Sequence, residues 1–125
     1  MGAVAKVSEP RPVFASARAI DTEHLSRMTL GERSLEREVL ALFDRQADML
    51  LPRIRRGDRA VAAASAHTLK GSAVGIGAFG VARAAEAVEQ ARDAAFREAA
   101  FAEAIDTLAA VLEEAKAEIA RLLAG

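Results

Sequence analysis

The stretch Ala66-His67-Thr68-Leu69-Lys70-Gly71-Ser72-Ala73-Val74-Gly75-Ile76-Gly77 decides the fold. It belongs to an alanine-rich segment with helical spacing. Wound at roughly 100° per residue, Val61, Ser65, Leu69, Ser72 and Ile76 gather on one side. His67 points away from their mean direction. Its neighbours on that other side are Ala60, Ala63, Ala64, Lys70, Gly71 and Val74. An imidazole therefore stands off the core among small side chains, with one cation a turn further on. Such a ring is open to a bulky partner carrying phosphate.

The segments on either side also read as helix. Arg55-Arg56-Gly57-Asp58 is a stop and a start: cations suit a helix C-terminus, Gly57 the left-handed position after it, Asp58 the next N-cap. The His67 helix then spans about Arg59 to Ile76. Before it, Thr29-Leu30-Gly31-Glu32 has capping-box spacing. The helix that follows carries Leu35, Val39, Leu42, Phe43, Gln46, Leu50 and Ile54 as its inner stripe. Pro52 conflicts with that stripe and predicts a kink, or an end near Leu51. Asp21 can cap a short helix holding His24, Leu25 and Met28.

After Gly75, Gly77 and Gly80 comes a helix with Val81, Ala84, Ala85, Val88 and Ala91 inward. The last begins near Phe96 or Arg97, with Phe101, Ile105, Leu108, Leu112, Ala115, Ile119 and Leu122 as its stripe. No segment alternates with period two, so no sheet is expected. An all-α antiparallel four-helix bundle follows, with a short N-terminal covering helix. Pro10-Arg11-Pro12 makes residues 1–19 a flexible tail before a bundle domain of 20–125. Phe14 or Ile20 would tack the end of that tail onto the body.

Composition narrows the function. Hydrophobic residues are 52% of 125, enough for one core, and much of that share is alanine. A net charge of −1, with charges interspersed, lacks the basic face of a nucleic-acid binder. With no cysteine there is no disulfide, thiolate zinc site or cysteine nucleophile. His67 and His24 lack supporting ligand spacing, so no metal site is expected. No apolar run would span a bilayer, and the first residues lack the apolar core of a signal peptide. Lys6 stands where a myristoylation pattern wants Ser or Thr. A cytoplasmic protein is expected.

The run His67-Thr68-Leu69-Lys70-Gly71-Ser72 resembles the signature of histidine-containing phosphotransfer (HPt) domains: His, any residue, Leu, Lys, Gly, then a small residue. Gly57-Asp58, Gly77-Ala78 and Val88-Glu89 are similar to flanking features of that family, and Glu86 lies nearby. The resemblance implies a four-helix bundle acting as a phosphorelay intermediate. It implies that His67 accepts a phosphoryl group from a receiver-domain aspartate and passes it to another receiver. Lys70 would then sit near the phosphoryl oxygens, and Gly71 would keep the approach clear. The outer ring nitrogen would take the phosphate. Partners would be response-regulator receiver domains and hybrid histidine kinases. The chain would need no cofactor of its own, since Mg²⁺ would come from the receiver. It would be a phosphotransfer protein rather than an ATP-dependent kinase.

The chemistry agrees with these residue types. Phosphoryl transfer is mainly positioning and charge stabilisation. A neutral imidazole, of unperturbed pKa about 6.5, is already a nucleophile near neutrality. Lys70, three residues on, shares its face. Gly71 inside a helix costs about 0.5–1 kcal/mol against Ala, which suggests a need for space.

Blander readings stand beside these. Ala60, Ala63, Ala64 and Val74 are either a flat apolar dock for a partner or filler of high helix propensity. Arg53, Arg55, Arg56 and Arg59 either steer an acidic receiver or serve as helix-end cations. His24 reads as structural or surface. Two other functions remain: a helical adaptor that binds receivers without transfer, and a histidine-kinase phosphoacceptor fragment. The kinase fragment fits less well. Thr68-Leu69-Lys70 replaces the expected acidic residue and proline, and no glycine-rich nucleotide segment is visible. Four main helices suffice for a monomer.

Overall fold

The computed structural model describes residues 18–93 and 95–125. Over them the chain forms α1 (Thr22–Met28), α2 (Arg33–Arg56), α3 (Arg59–Ile76), α4 (Phe79–Gln90) and α5 (Glu98–Ala124), and no strand. The last four close a ring: α2 packs on α3, α3 on α4, α4 on α5, and α5 on α2. Short links turn each helix back along the one before, which gives the antiparallel bundle. The tail expected over 1–19 lies outside the described residues as far as residue 17, Phe14 included. Ile20 is fully buried.

α4 has 12 residues against 24 in α2 and 27 in α5. The segment around α1 covers what α4 leaves. Ile20 and Leu25 join the core, and Arg18 and Ala19 lie beside Glu114, Ala117 and Arg121 of α5. α1 is fastened to the last turn of α3. The Asp21 carboxylate caps α1 by accepting from the His24 N–H at 3.1 Å. His24 Nε2 donates to the Val74 carbonyl at 2.9 Å, and its ring meets Phe79 edge-on at 5.0 Å. α3 ends in a left-handed Gly77, φ +82°, with Ala78 N–H on Ala73 O at 2.8 Å. The Gly77 carbonyl then accepts from Asp21 N–H at 2.9 Å.

Several local expectations are corrected. The capping box at Thr29–Glu32 does not form. Thr29 instead closes α1, its hydroxyl donating back to Leu25 O at 2.8 Å. Leu30 and Gly31 turn left-handed (φ 55° and 75°), and Glu32 caps α2 without a side-chain bond. Pro52 does not end α2, which continues to Arg56. Leu50 and Ile54 on either side of it are buried, and their packing holds the helix past the lost amide.

The stripes of α4 and α5 are buried as expected, except Leu122, which is partly buried. The stripe of α2 is Leu40, Phe43, Ala47, Leu50 and Ile54. Leu35 and Leu42 fall outside it, 37% and 57% exposed. α2 has apolar residues on two faces, and the bundle covers only one. In α3, Ala62, Ala66 and Ala73 line the core with Leu69, while Val61 is 45% exposed and Ser72 half-buried. Among so many alanines, side-chain bulk says little about which face turns inward.

One ion-pair cluster ties α5 to α2: Lys116 Nζ lies 2.6 Å from Asp44 and 2.8 Å from Asp48. Burial alone would lower the Lys116 pKa, but the two carboxylates outweigh it and raise the value above the ordinary one.

Asp58 caps α3 as expected, accepting from Val61 N–H at 2.9 Å. Gly57 is not left-handed: its φ is −78° and its backbone extended. Glycine is needed there for space. A Cβ would sit 2.6 Å from Val61 Cγ1 and 2.8 Å from the Arg53 carbonyl. Gly57→Ala should therefore destabilise the fold by about 1–3 kcal/mol in urea unfolding. Adding Val61→Ala should recover only part of that, because the Arg53 carbonyl stays in place.

Candidate functional site

His67 and Glu89 face each other across the α3–α4 packing. His67 lies ten residues before the Gly77 turn and Glu89 twelve after it, so antiparallel helices bring them level. The His67 side chain is 70% exposed. Its Nδ1 lies 2.7 Å from Glu89 Oε2. The Lys70 ammonium stands 3.1 Å from Glu89 Oε1, as an ion pair off the line of a hydrogen bond. Glu89 itself is 21% exposed.

Burial pulls the Glu89 carboxyl upward. His67 and Lys70 outweigh that pull and hold it below the ordinary glutamate value. It is therefore a carboxylate near neutrality, and a carboxylate only accepts. The contact at 2.7 Å makes Nδ1 the donor. In the neutral ring the lone pair then sits on Nε2, the nitrogen pointing away from Glu89. The geometry thus separates a pinned nitrogen from an open one.

Gly71 lies on the exposed side, and a Cβ added there would meet nothing within 4 Å. No packing inside the chain demands this glycine, which leaves the space outside the helix as its reason. Ala60, Ala64 and Val74 are exposed around the ring. Ala63 is not: at 3% it is buried. It therefore offers a partner almost no surface.

The four arginines divide. Arg55 pairs with Asp106 at 3.4 Å. Arg59 donates to the carbonyls of Ala91 (3.2 Å), Asp93 (2.8 Å) and Phe96 (2.8 Å), and its guanidinium lies 5.0 Å over the Phe101 ring. It is a structural tie. Arg53 and Arg56 are exposed. His24, bonded to Val74, is structural.

Glu89 is the site residue that sequence reasoning left without a role. Its similar chain distance from the Gly77 turn, twelve residues against ten for His67, was the available signal. Among the described residues, no three His, Asp or Glu side chains gather as a metal site, and no helix is long and apolar enough to cross a membrane.

Comparison with known proteins agrees with this geometry. The Hpt domain family model matches residues 35–124. The chain belongs to the Hpt domain family. The fold is similar to the crystal structure of the histidine phosphotransferase ShpA from Caulobacter crescentus, with a TM-score of 0.66 and 27% identity. That match covers 82% of this chain and 88% of ShpA. No curated protein sequence matches the chain significantly. Family and neighbour together give the chain a role in phosphorelay.

A carboxyl whose pKa is lower folded than unfolded stabilises the fold while it is ionised. For Glu89 that contribution is whole above the ordinary value of 4.5 and is lost as pH falls through the lower folded value. Glu89→Gln should therefore be less stable than the native chain near neutral pH. Urea unfolding should show the gap closing below about pH 4. A gap unchanged with pH would remove the carboxylate from the account.

Proposed function

We propose that the chain is a phosphorelay intermediate that takes a phosphoryl group from a receiver-domain aspartate onto His67 and passes it to another receiver. The contact of His67 Nδ1 with Glu89, which leaves Nε2 open on an exposed face, carries this reading. The Nε2 lone pair attacks phosphorus, an N–P bond forms, and the acyl-phosphate O–P bond breaks. The electron pair leaves with the receiver's aspartate. The Nδ1 proton stays in place, so the ring becomes positive as the bond forms. Glu89 lies where it would stabilise that charge, as a carboxylate does behind a catalytic imidazole. Passing the group on reverses the step, with neutral imidazole leaving.

Lys70 would share its charge between Glu89 and the incoming phosphoryl oxygens. Gly71 would leave room for the receiver loop, and Ala60, Ala64 and Val74 would form the docking rim. Mg²⁺ would arrive with the receiver's own acidic site. Hybrid histidine kinases, which carry receiver domains, would be among the upstream donors.

Incubation with a phosphorylated receiver should label the native chain and leave His67→Gln unlabelled. Receiver binding by that variant together with a native chain that takes no label would support the adaptor instead. Labelling from ATP without any kinase would support the kinase fragment. Lys70→Ala should slow transfer about tenfold or more while receiver affinity changes far less, because the cation acts on the moving charge. An equal loss in both would make Lys70 a docking residue. Nitrogen-15 shifts of His67 should report the Nδ1–H tautomer, and Glu89→Gln should mix it.

A further inference from the structure

α2 carries a second apolar line that the bundle leaves bare. Leu35, Leu42 and Met49 are 37%, 57% and 58% exposed. They stand seven residues apart, and each seventh residue of a straight helix drifts only about 20° from the last. The three therefore make one continuous seam. The core stripe of Leu40, Phe43, Ala47, Leu50 and Ile54 occupies another side of the same helix. Val39 and Gln46, both half-buried, edge the seam where α2 meets the bundle. Apolar residues repeating by sevens suit a partner helix.

The charges beside the seam are sorted along its length. Glu32 and Glu38 flank the N-terminal half, and Arg45, Arg53 and Arg56 the C-terminal half, all of them exposed. A second α2 laid parallel would set like charge against like. Turned end for end about Leu42, it sets Leu35 against the copy's Met49, Glu38 beside Arg45, and Glu32 beside Arg53. The face is thus complementary to itself under a two-fold axis, the condition for an isologous dimer.

We propose that this seam joins two copies of the chain by antiparallel pairing of their α2 helices. That departs from the monomer expected from the helix count. Leu30, 88% exposed and held left-handed in the turn before α2, is a further bare apolar side chain near the Leu35 end of the seam. The seam lies on α2, whereas His67 turns to the α4 flank of α3 through Glu89. Both imidazoles stay accessible in the dimer, so the pairing stands independently of the phosphoryl chemistry.

Sedimentation equilibrium of the full chain over a concentration series tests it. The native chain should form a dimer that dissociates on dilution. Leu42→Glu brings two carboxylates together on the axis and should give a monomer at every concentration. Its helical circular dichroism should not change, and its thermal midpoint should match that of the native chain diluted to monomer, since Leu42 is exposed. Glu38→Arg should weaken the dimer about tenfold, and adding Arg45→Glu should restore it. A native chain that is monomeric throughout, or a dimer indifferent to Leu42→Glu, overturns the inference. So does a monomer in which Leu42→Glu slows transfer from a receiver, for the seam would then belong to the receiver.

Discussion

Alanine sets how closely α3 approaches α4. Ala62, Ala66 and Ala73 on α3, and Ala82, Ala84 and Ala85 on α4, are all buried. Single methyl groups let two helix backbones close to the short end of the usual interaxial range. The spacing has a chemical effect, because a glutamate reaches only a few bonds from its backbone. With larger side chains between the helices, Glu89 would stand back from Nδ1 and the ring would lose its fixed tautomer. Lys70 would lose its partner as well. The open nitrogen on the far side of the ring thus depends on the helix packing that brings Glu89 to Nδ1.

The site is asymmetric in a useful way. One edge of the imidazole meets a carboxylate that is itself mostly covered, and the other edge meets solvent. The covered edge holds the proton, and the open edge holds the lone pair. Gly71 stands on the open side with empty space where a Cβ would be. Nothing in the bundle requires that space, so its value lies with whatever comes against the helix.

Much of this was legible in the sequence, and the failures have physical reasons. The outward His67 with Lys70 and Gly71 followed from helical spacing. The α4 and α5 stripes were plain because their large apolar side chains fall on one face. Asp21 and Asp58 were readable as caps because a short acidic side chain has one good local use there. α2 misled because two of its faces are apolar, and periodicity does not say which one the bundle takes. Thr29 turns its hydroxyl to a carbonyl of its own helix rather than to the amide it was expected to cap. Gly57 was read as a conformational glycine and is a steric one, a distinction that rests on where Val61 comes to lie. Ala63 was read as exposed because helical spacing within α3 does not show how much of its flank the neighbouring helices cover. Glu89 needed a tertiary contact across two helices before its role could be seen.

Arg59 has a consequence for how the bundle loosens. Its guanidinium joins the first turn of α3 to three carbonyls of the α4–α5 link. Asp93 O also accepts from Phe96 N–H at 2.9 Å within the link, but without Arg59 no hydrogen bond among the described residues would tie the link to α3 at this point. Tied as they are, fraying of the α3 start and opening of the link become a single cooperative event. The helix that bears the imidazole thus borrows its rigidity at one end from a loop remote in sequence.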